Sequence, residues 1–256
     1  MLTIRPEQMD ALAVAMRPSF IERLVNDVRE HFARHCDILG DEQLRKTVAL
    51  GVDSAAGYGL TSEREVFLYL CLMFMLGSFF DTDPQLPWTA PILAADSFPD
   101  GFAKVQALYK EAMGYLDRTI GKNDMEHLKV LLRVRNLDLN RAAKSLQPEF
   151  TKGTIALLHE VHPRKAELLG DDIFEVLVVT GSEAALDYGL SHERGRLVFL
   201  LHMFLMGSGF DRDPQFPWAA AILNDTTAGE EDEVADRLCA ATIDYLNQTL
   251  TPLEKE

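Results

Sequence analysis

The residues with most chemical potential in this 256-residue chain are Asp81 and Asp83, which return as Asp211 and Asp213 in a shared Asp-x-Asp-Pro-Gln-x-Pro-Trp element. Two carboxylates at that spacing could hold a hard cation or divide acid and base roles between them. Calcium and magnesium want more oxygen ligands than a carboxylate pair supplies, and no EF-hand loop surrounds these residues. A second reading competes. Asp83 and Asp213 precede Pro84 and Pro214, the pattern of a helix N-cap followed by proline at the first helical position. That reading predicts a short helix at 84–95, with Trp88 in its first turns and Trp218 in the equivalent, each packed on a neighbouring helix. An element present twice in one chain suits architecture better than catalysis, so no catalytic residue is assigned.

His31 and His35, with Cys36, have the spacing that puts two imidazoles on one helical face, as zinc requires. The glutamate of a His-Glu-x-x-His site is missing, and 130 residues on the positions hold Val161, Lys165 and Ala166. An ordinary helix is expected there, without a metal. His159 and His162, just before Pro163, read as a helix C-terminus, where partly cationic side chains suit the dipole. His202 interrupts an apolar run opposite Leu72 and reads as a hydrogen-bonded core histidine. Ser78 and Ser208 follow glycine but lack the Gly-x-Ser-x-Gly elbow. P-loop and dinucleotide fingerprints are absent, and no cofactor is expected.

The elements that must position these residues come as a tandem pair. Tyr58-Gly59-Leu60 and Glu63-Arg64 return as Tyr188-Gly189-Leu190 and Glu193-Arg194, and Gly77-Ser78 as Gly207-Ser208. More than half of the ungapped positions in 58–93 are identical in 188–223. The register extends outward through Leu39-Gly40-Asp41 over Leu169-Gly170-Asp171 and Tyr115-Leu116 over Tyr245-Leu246. Solenoid units run only to about 50 residues, so a 130-residue offset implies a duplicated domain. The expected division is 1–122 and 123–256.

Each copy reads as helical, giving an all-α fold of two homologous helical bundles. Helices are expected near 6–16, 18–36, 41–57, 61–77, 84–95 and 101–120, with equivalents in copy two. Gly59 and Gly189 should end a helix in the left-handed conformation, with Leu60 and Leu190 folding back as the apolar contact. Thr61 or Ser191 would cap the next helix. That helix, from Val66 to Leu76, is apolar on every face and so should be buried on every face.

Composition excludes several classes of function. Hydrophobic residues make up 47% and charged residues 25%, enough for a substantial core. The net charge of −15 argues against nucleic acid or an anionic membrane surface as main partner. Residues 1–123 carry 12 basic and 17 acidic side chains, and 124–256 carry 13 and 23, so the second copy has the stronger field. Part of that excess is Glu230-Glu231-Asp232-Glu233. Cys36, Cys71 and Cys239 form no CxxC pair, no secretory leader precedes the repeat, and the longest apolar run is too short to span a bilayer. A cytoplasmic location is expected.

Ile4-Arg5 with Gln8, Tyr-Gly-Leu-x-x-Glu-Arg, and Gly-x-x-Phe-Asp-x-Asp-Pro-x-x-Pro-Trp together resemble small uncharacterised bacterial helical proteins encoded near type VI secretion spike and effector genes, here as a tandem duplication. Copy two departs at its start, with Asn136 over Pro6 and Asp138 over Gln8. The resemblance implies a non-catalytic accessory protein, an adaptor, chaperone or immunity-type partner, binding an effector, a spike component or a basic toxin. The acidic surface is the expected docking face, with Asp81, Asp83, Trp88, Asp211, Asp213, Trp218 and Glu230, Glu231, Asp232 and Glu233 as candidate binding residues. The alternative is a hydrolase or toxin domain using the Asp-x-Asp-Pro carboxylates.

Overall fold

The Tyr-Gly-Leu signal ends a helix as its chemistry requires. Gly59 sits at φ 76°, Leu60 N–H reaches back to Ala55 O, and Gly59 N–H to Ala56 O, closing a Schellman turn. The same bonds join Leu190 to Ala185 and Gly189 to Leu186. A computed structural model supplies these coordinates and describes residues 5–121, 125–227 and 229–250. Over these residues the fold is all-α, without a strand.

The first half of the chain holds α1 (Pro6–His31), α2 (Ala33–Leu39), α3 (Asp41–Gly57), α4 (Glu63–Leu76), α5 (Thr89–Ala94) and α6 (Gly101–Thr119). The rest holds α7 (Met125–Arg135), α8 (Leu139–Ser145), α9 (Phe150–Val161), α10 (Pro163–Leu169), α11 (Asp171–Asp187), α12 (Glu193–Met206), α13 (Pro217–Leu223) and α14 (Glu231–Leu250). Helices α2, α3 and α4 match α10, α11 and α12 at the 130-residue offset, end for end.

Three local expectations are corrected. First, the break expected at Pro18 is absent, because α1 runs through it. The equivalent stretch of copy two does divide, into α8 and α9, around a cis Gln147–Pro148 bond. Gly153 explains the difference. A Cβ there would lie 3.0 Å from the Leu146 Cα, so only glycine lets the corner fold down on α9. The matching residue in copy one is Arg23.

Second, the cap of the central helix is one residue later than expected. Ser62 accepts from Glu65 N while the Glu65 carboxylate accepts from Ser62 N, a reciprocal capping box. Copy two has Gly195 where Glu65 stands, and α14 supplies the substitute. Glu231 Oε2 accepts from Ser191 N and His192 N, and Ser191 Oγ donates to Glu231 Oε1. Third, no helix starts at Pro84 or Pro214, because Asp83 and Asp213 are engaged elsewhere.

Central helix α4 buries Val66 and every residue from Tyr69 to Phe74 among α1, α3 and α6. Helix α12 does the same among α8, α9, α11 and α14. Gly51 and Gly181 let α3 and α11 come this close, since a Cβ at either would lie 2.4 Å from a leucine of the central helix. One apolar cluster runs from Leu24 to Tyr115 and another from Val130 to Leu238. Where they meet, Leu168 and Leu169 of α10 pack on the first cluster.

Candidate functional site

The Asp-x-Asp-Pro elements lie where the two clusters meet, and they cross over. Asp213 Oδ2 accepts from Ser78 N at 2.7 Å and its Oδ1 from Ser78 Oγ at 2.6 Å, with Gln215 N also donating to Oδ1. In return, Asp83 Oδ2 accepts from Ser208 N at 2.8 Å and Oδ1 from Gln85 N. Gln85 Nε2 then donates to Met203 O, and Gln215 Nε2 to Met73 O. Each element therefore caps the C-terminal end of the other copy's central helix. Burial pushes the Asp213 carboxyl pKa up, against the bonds from Ser78 and Gln215 that pull it down.

The crossing needs glycine. Gly77 and Gly207 sit at φ 96° and 101°, and a Cβ on Gly77 would lie 2.9 Å from Met206 O. Beside them the repeat is asymmetric. The Phe79 ring occupies the space over Gly209, and the Arg212 guanidinium stacks on that ring at 4.6 Å.

The remaining candidates are equally committed to structure. Asp81 accepts from Tyr58 OH at 2.8 Å and Asp211 from Tyr188 OH at 2.9 Å. Burial, with these bonds to carboxylates, pushes both phenols up to about 12. Trp88 packs near Tyr115, and Trp218 against His202 and Tyr245. Of the acidic run, Glu231 caps α12, Asp232 pairs with Arg194, and Glu230 and Glu233 are exposed. The carboxylates thus face backbone amides and hydroxyls, an arrangement that joins helices.

His31 and His35 do not converge on a metal. His31 Nδ1 lies against Asp27 O, and the His35 ring packs edge-on against Phe74. Among the described residues no group of three or more His, Cys, Asp or Glu side chains is placed to hold a metal ion. His202 is buried as expected. Its Nδ1–H donates to Val198 O, which leaves Nε2 to accept from Thr242 Oγ1, and burial holds its pKa down.

His162 is the titratable group with a stability consequence. It caps α10 through Nδ1, which accepts from Lys165 N. Burial first, then Lys165, His127 and Arg133, pull its pKa to about 4. The unfolded chain takes up that proton near 6.5, so the contribution is complete above pH 6.5 and lost as pH falls towards 4. Its size is about 2–3 kcal/mol. Denaturant unfolding at pH 7 and pH 4.5 should show His162→Asn, which keeps a capping acceptor, losing about 2 kcal/mol less than wild type on acidification. An identical loss in both proteins would remove His162 from the account.

The site that sequence reading missed is an apolar groove of about 560 Å³ between α7, α12 and α14. Leu128 and Leu132 of α7 form one lip and Ile243 of α14 the other, exposed by 40%, 44% and 43%. Val198, Leu201 and Leu205 of α12 form the floor. Apolar side chains this exposed and this contiguous on a folded surface mark a place where something binds. Further along the lip stripe of α14, Asp232 and Asp236 share the single cation of Arg194, which leaves that end of the groove net negative. The repeat comparison could not reveal it. Val134 and Arg135 align with Ile4 and Arg5, so most of α7 precedes the first residue of copy one. The one available signal was the helical spacing of Leu128, Leu131 and Leu132 next to the joint.

No protein-family model matches the chain, and no curated protein or solved structure shows significant similarity to it.

Proposed function

We propose that the chain is a protein-binding accessory, of adaptor, chaperone or immunity type in a bacterial secretion or toxin system, built as a covalent pseudo-dimer of two homologous helical bundles over 1–122 and 123–256. The groove between α7 and α14 carries this reading. Its occupant is an amphipathic helix of a partner protein, with its apolar face on Leu128, Leu132 and Ile243 and a basic flank towards Asp232 and Asp236. The net charge of −15 favours a basic partner through encounter rate and selectivity. The docking role therefore moves from the Asp-x-Asp-Pro elements, whose carboxylates face inward, to the groove. With those carboxylates occupied, the hydrolase alternative has no observation in its favour.

The test places a photo-crosslinking side chain at Leu132 in the native host and sequences the captured peptide. A segment with helical apolar spacing and a basic flank is expected. Its synthetic peptide should bind the purified chain and lose affinity by about 100-fold in Leu128→Asp/Leu132→Asp, at unchanged Tm. Capture of the chain's own second copy, or a peptide indifferent to those substitutions, would overturn the reading.

A further inference from the structure

A different space lies between the two halves, and it is polar where the groove is apolar. The cavity measures about 370 Å³, within the usual range for small-molecule sites. Two unusual groups line it, Lys165 and Gln85. Lys165 is 9% exposed and has no carboxylate within ion-pair distance. Its ammonium donates to Phe204 O at 2.7 Å and lies over the Phe204 ring at 4.3 Å, which leaves further N–H donors to be satisfied. Burial pulls its pKa to about 8, with the Asp83 charge opposing.

Gln85 is 2% exposed, and its amide cannot be turned round. Nε2 faces three acceptors, Met203 O and both oxygens of Asp83. Oε1 is therefore fixed on the other side, where it is buried without a donor. An orphaned acceptor of this kind costs about 1–3 kcal/mol unless something fills the space. The pseudo-equivalent corner shows how the same constellation looks when closed. There Gln215 Nε2 faces Met73 O and Ser78 Oγ, and His35, the residue matching Lys165, hydrogen-bonds to the Gln215 side chain. Lys165 turns instead to Phe204 O, so one corner is closed and the other is open.

We propose that this open corner is a binding site for a small organic acid that also carries an N–H or O–H donor. The acid's carboxylate accepts from the Lys165 ammonium, its donor reaches Gln85 Oε1, and its apolar body lies against Leu86, Tyr115 and Phe204. This goes beyond the protein-binding reading and rests on none of the groove-lip residues.

The experiment is titration calorimetry of the full chain at pH 7 with 4-hydroxybenzoate and 4-hydroxyphenylacetate, each beside its methyl ester. At least one acid should saturate a single site per chain below 10 mM, with its ester about tenfold weaker or worse. Lys165→Met, which removes a lone buried cation without shortening the side chain, should abolish that binding while its Tm stays at or above the wild-type value. Leu128→Asp/Leu132→Asp should leave acid binding unchanged, which separates failure here from failure of the groove. No saturation by either acid, as for a site that takes only water, would overturn the proposal. Equal affinity for acid and ester would do so too, as would full binding to a folded Lys165→Met protein.

Discussion

Asp213→Ala should lower the unfolding free energy by about 4 kcal/mol, one of the two largest single effects expected in this chain. Three donors converge on that carboxylate: Ser78 N, Ser78 Oγ and Gln215 N. The hydroxyl can rotate to a new acceptor, but the two amides are buried and fixed, and each stranded donor costs about 1–3 kcal/mol. Part of that loss is recovered because a buried charge disappears, whose desolvation is what pushes the Asp213 pKa up. Asp213→Asn keeps one acceptor oxygen and should lose about half as much. Asp83→Ala strands Ser208 N and the Gln85 amide in the same way and should cost about 3 kcal/mol.

Guanidinium unfolding with matched m-values measures these differences. The same variants separate architecture from chemistry. If Asp83→Asn/Asp213→Asn removed an enzymatic activity and left the Tm unchanged, the carboxylates would be catalytic and the cross-capping account would fail.

The second large effect lies beside the crossing, at Phe79 and Gly209. Gly209→Phe would make this position the same in both copies, and it should cost about 3 kcal/mol or more. A Cβ on Gly209 would lie 2.4 Å from Phe79 Cδ2, 2.7 Å from Cγ and 2.9 Å from Cβ. That collision involves the root of the Phe79 side chain as well as its ring, so rotation alone does not relieve it. Phe79→Gly by itself should cost about 2–3 kcal/mol, because the ring is half-buried and the Arg212 stack goes with it.

The informative variant is the exchange, Phe79→Gly/Gly209→Phe. One ring and one glycine are again present, with the ring arriving from the other side. The double variant should be at least about 2 kcal/mol more stable than the sum of the single losses. Strict additivity would show that Phe79 and Gly209 do not share one space. A chain whose two copies were identical here would carry two rings in a space for one, which gives a physical reason for the copies to diverge at 79 and 209.

Several features could be read from the sequence because they depend on a few adjacent residues or on helical spacing. The Schellman stops need only Gly59-Leu60 and Gly189-Leu190 after a helix, and backbone sterics does the rest. The burial of α4 and α12 follows from runs with no polar face. The 130-residue offset is a property of letter order and reappears in the bounds of six helices. Each of these is local or periodic, so no contact between distant residues had to be known.

What the tertiary structure decided is how distant groups compete for the same bond. The sequence gives Asp83 and Asp213 as N-caps, and an adjacent proline makes that a sound local reading. The amide of a serine 125 residues away for Asp83, or 135 away for Asp213, outcompetes the local helix start because it too is buried and must be satisfied. The cap of α12 comes from Glu231, some 40 residues beyond the amides it serves, because Gly195 lacks the side chain that Glu65 supplies in α4. The opening at Lys165 likewise depends on Gln85 arriving from the other half of the chain. Local sequence fixes which helices form and where they end; which buried donor finds which acceptor is settled only when the helices meet.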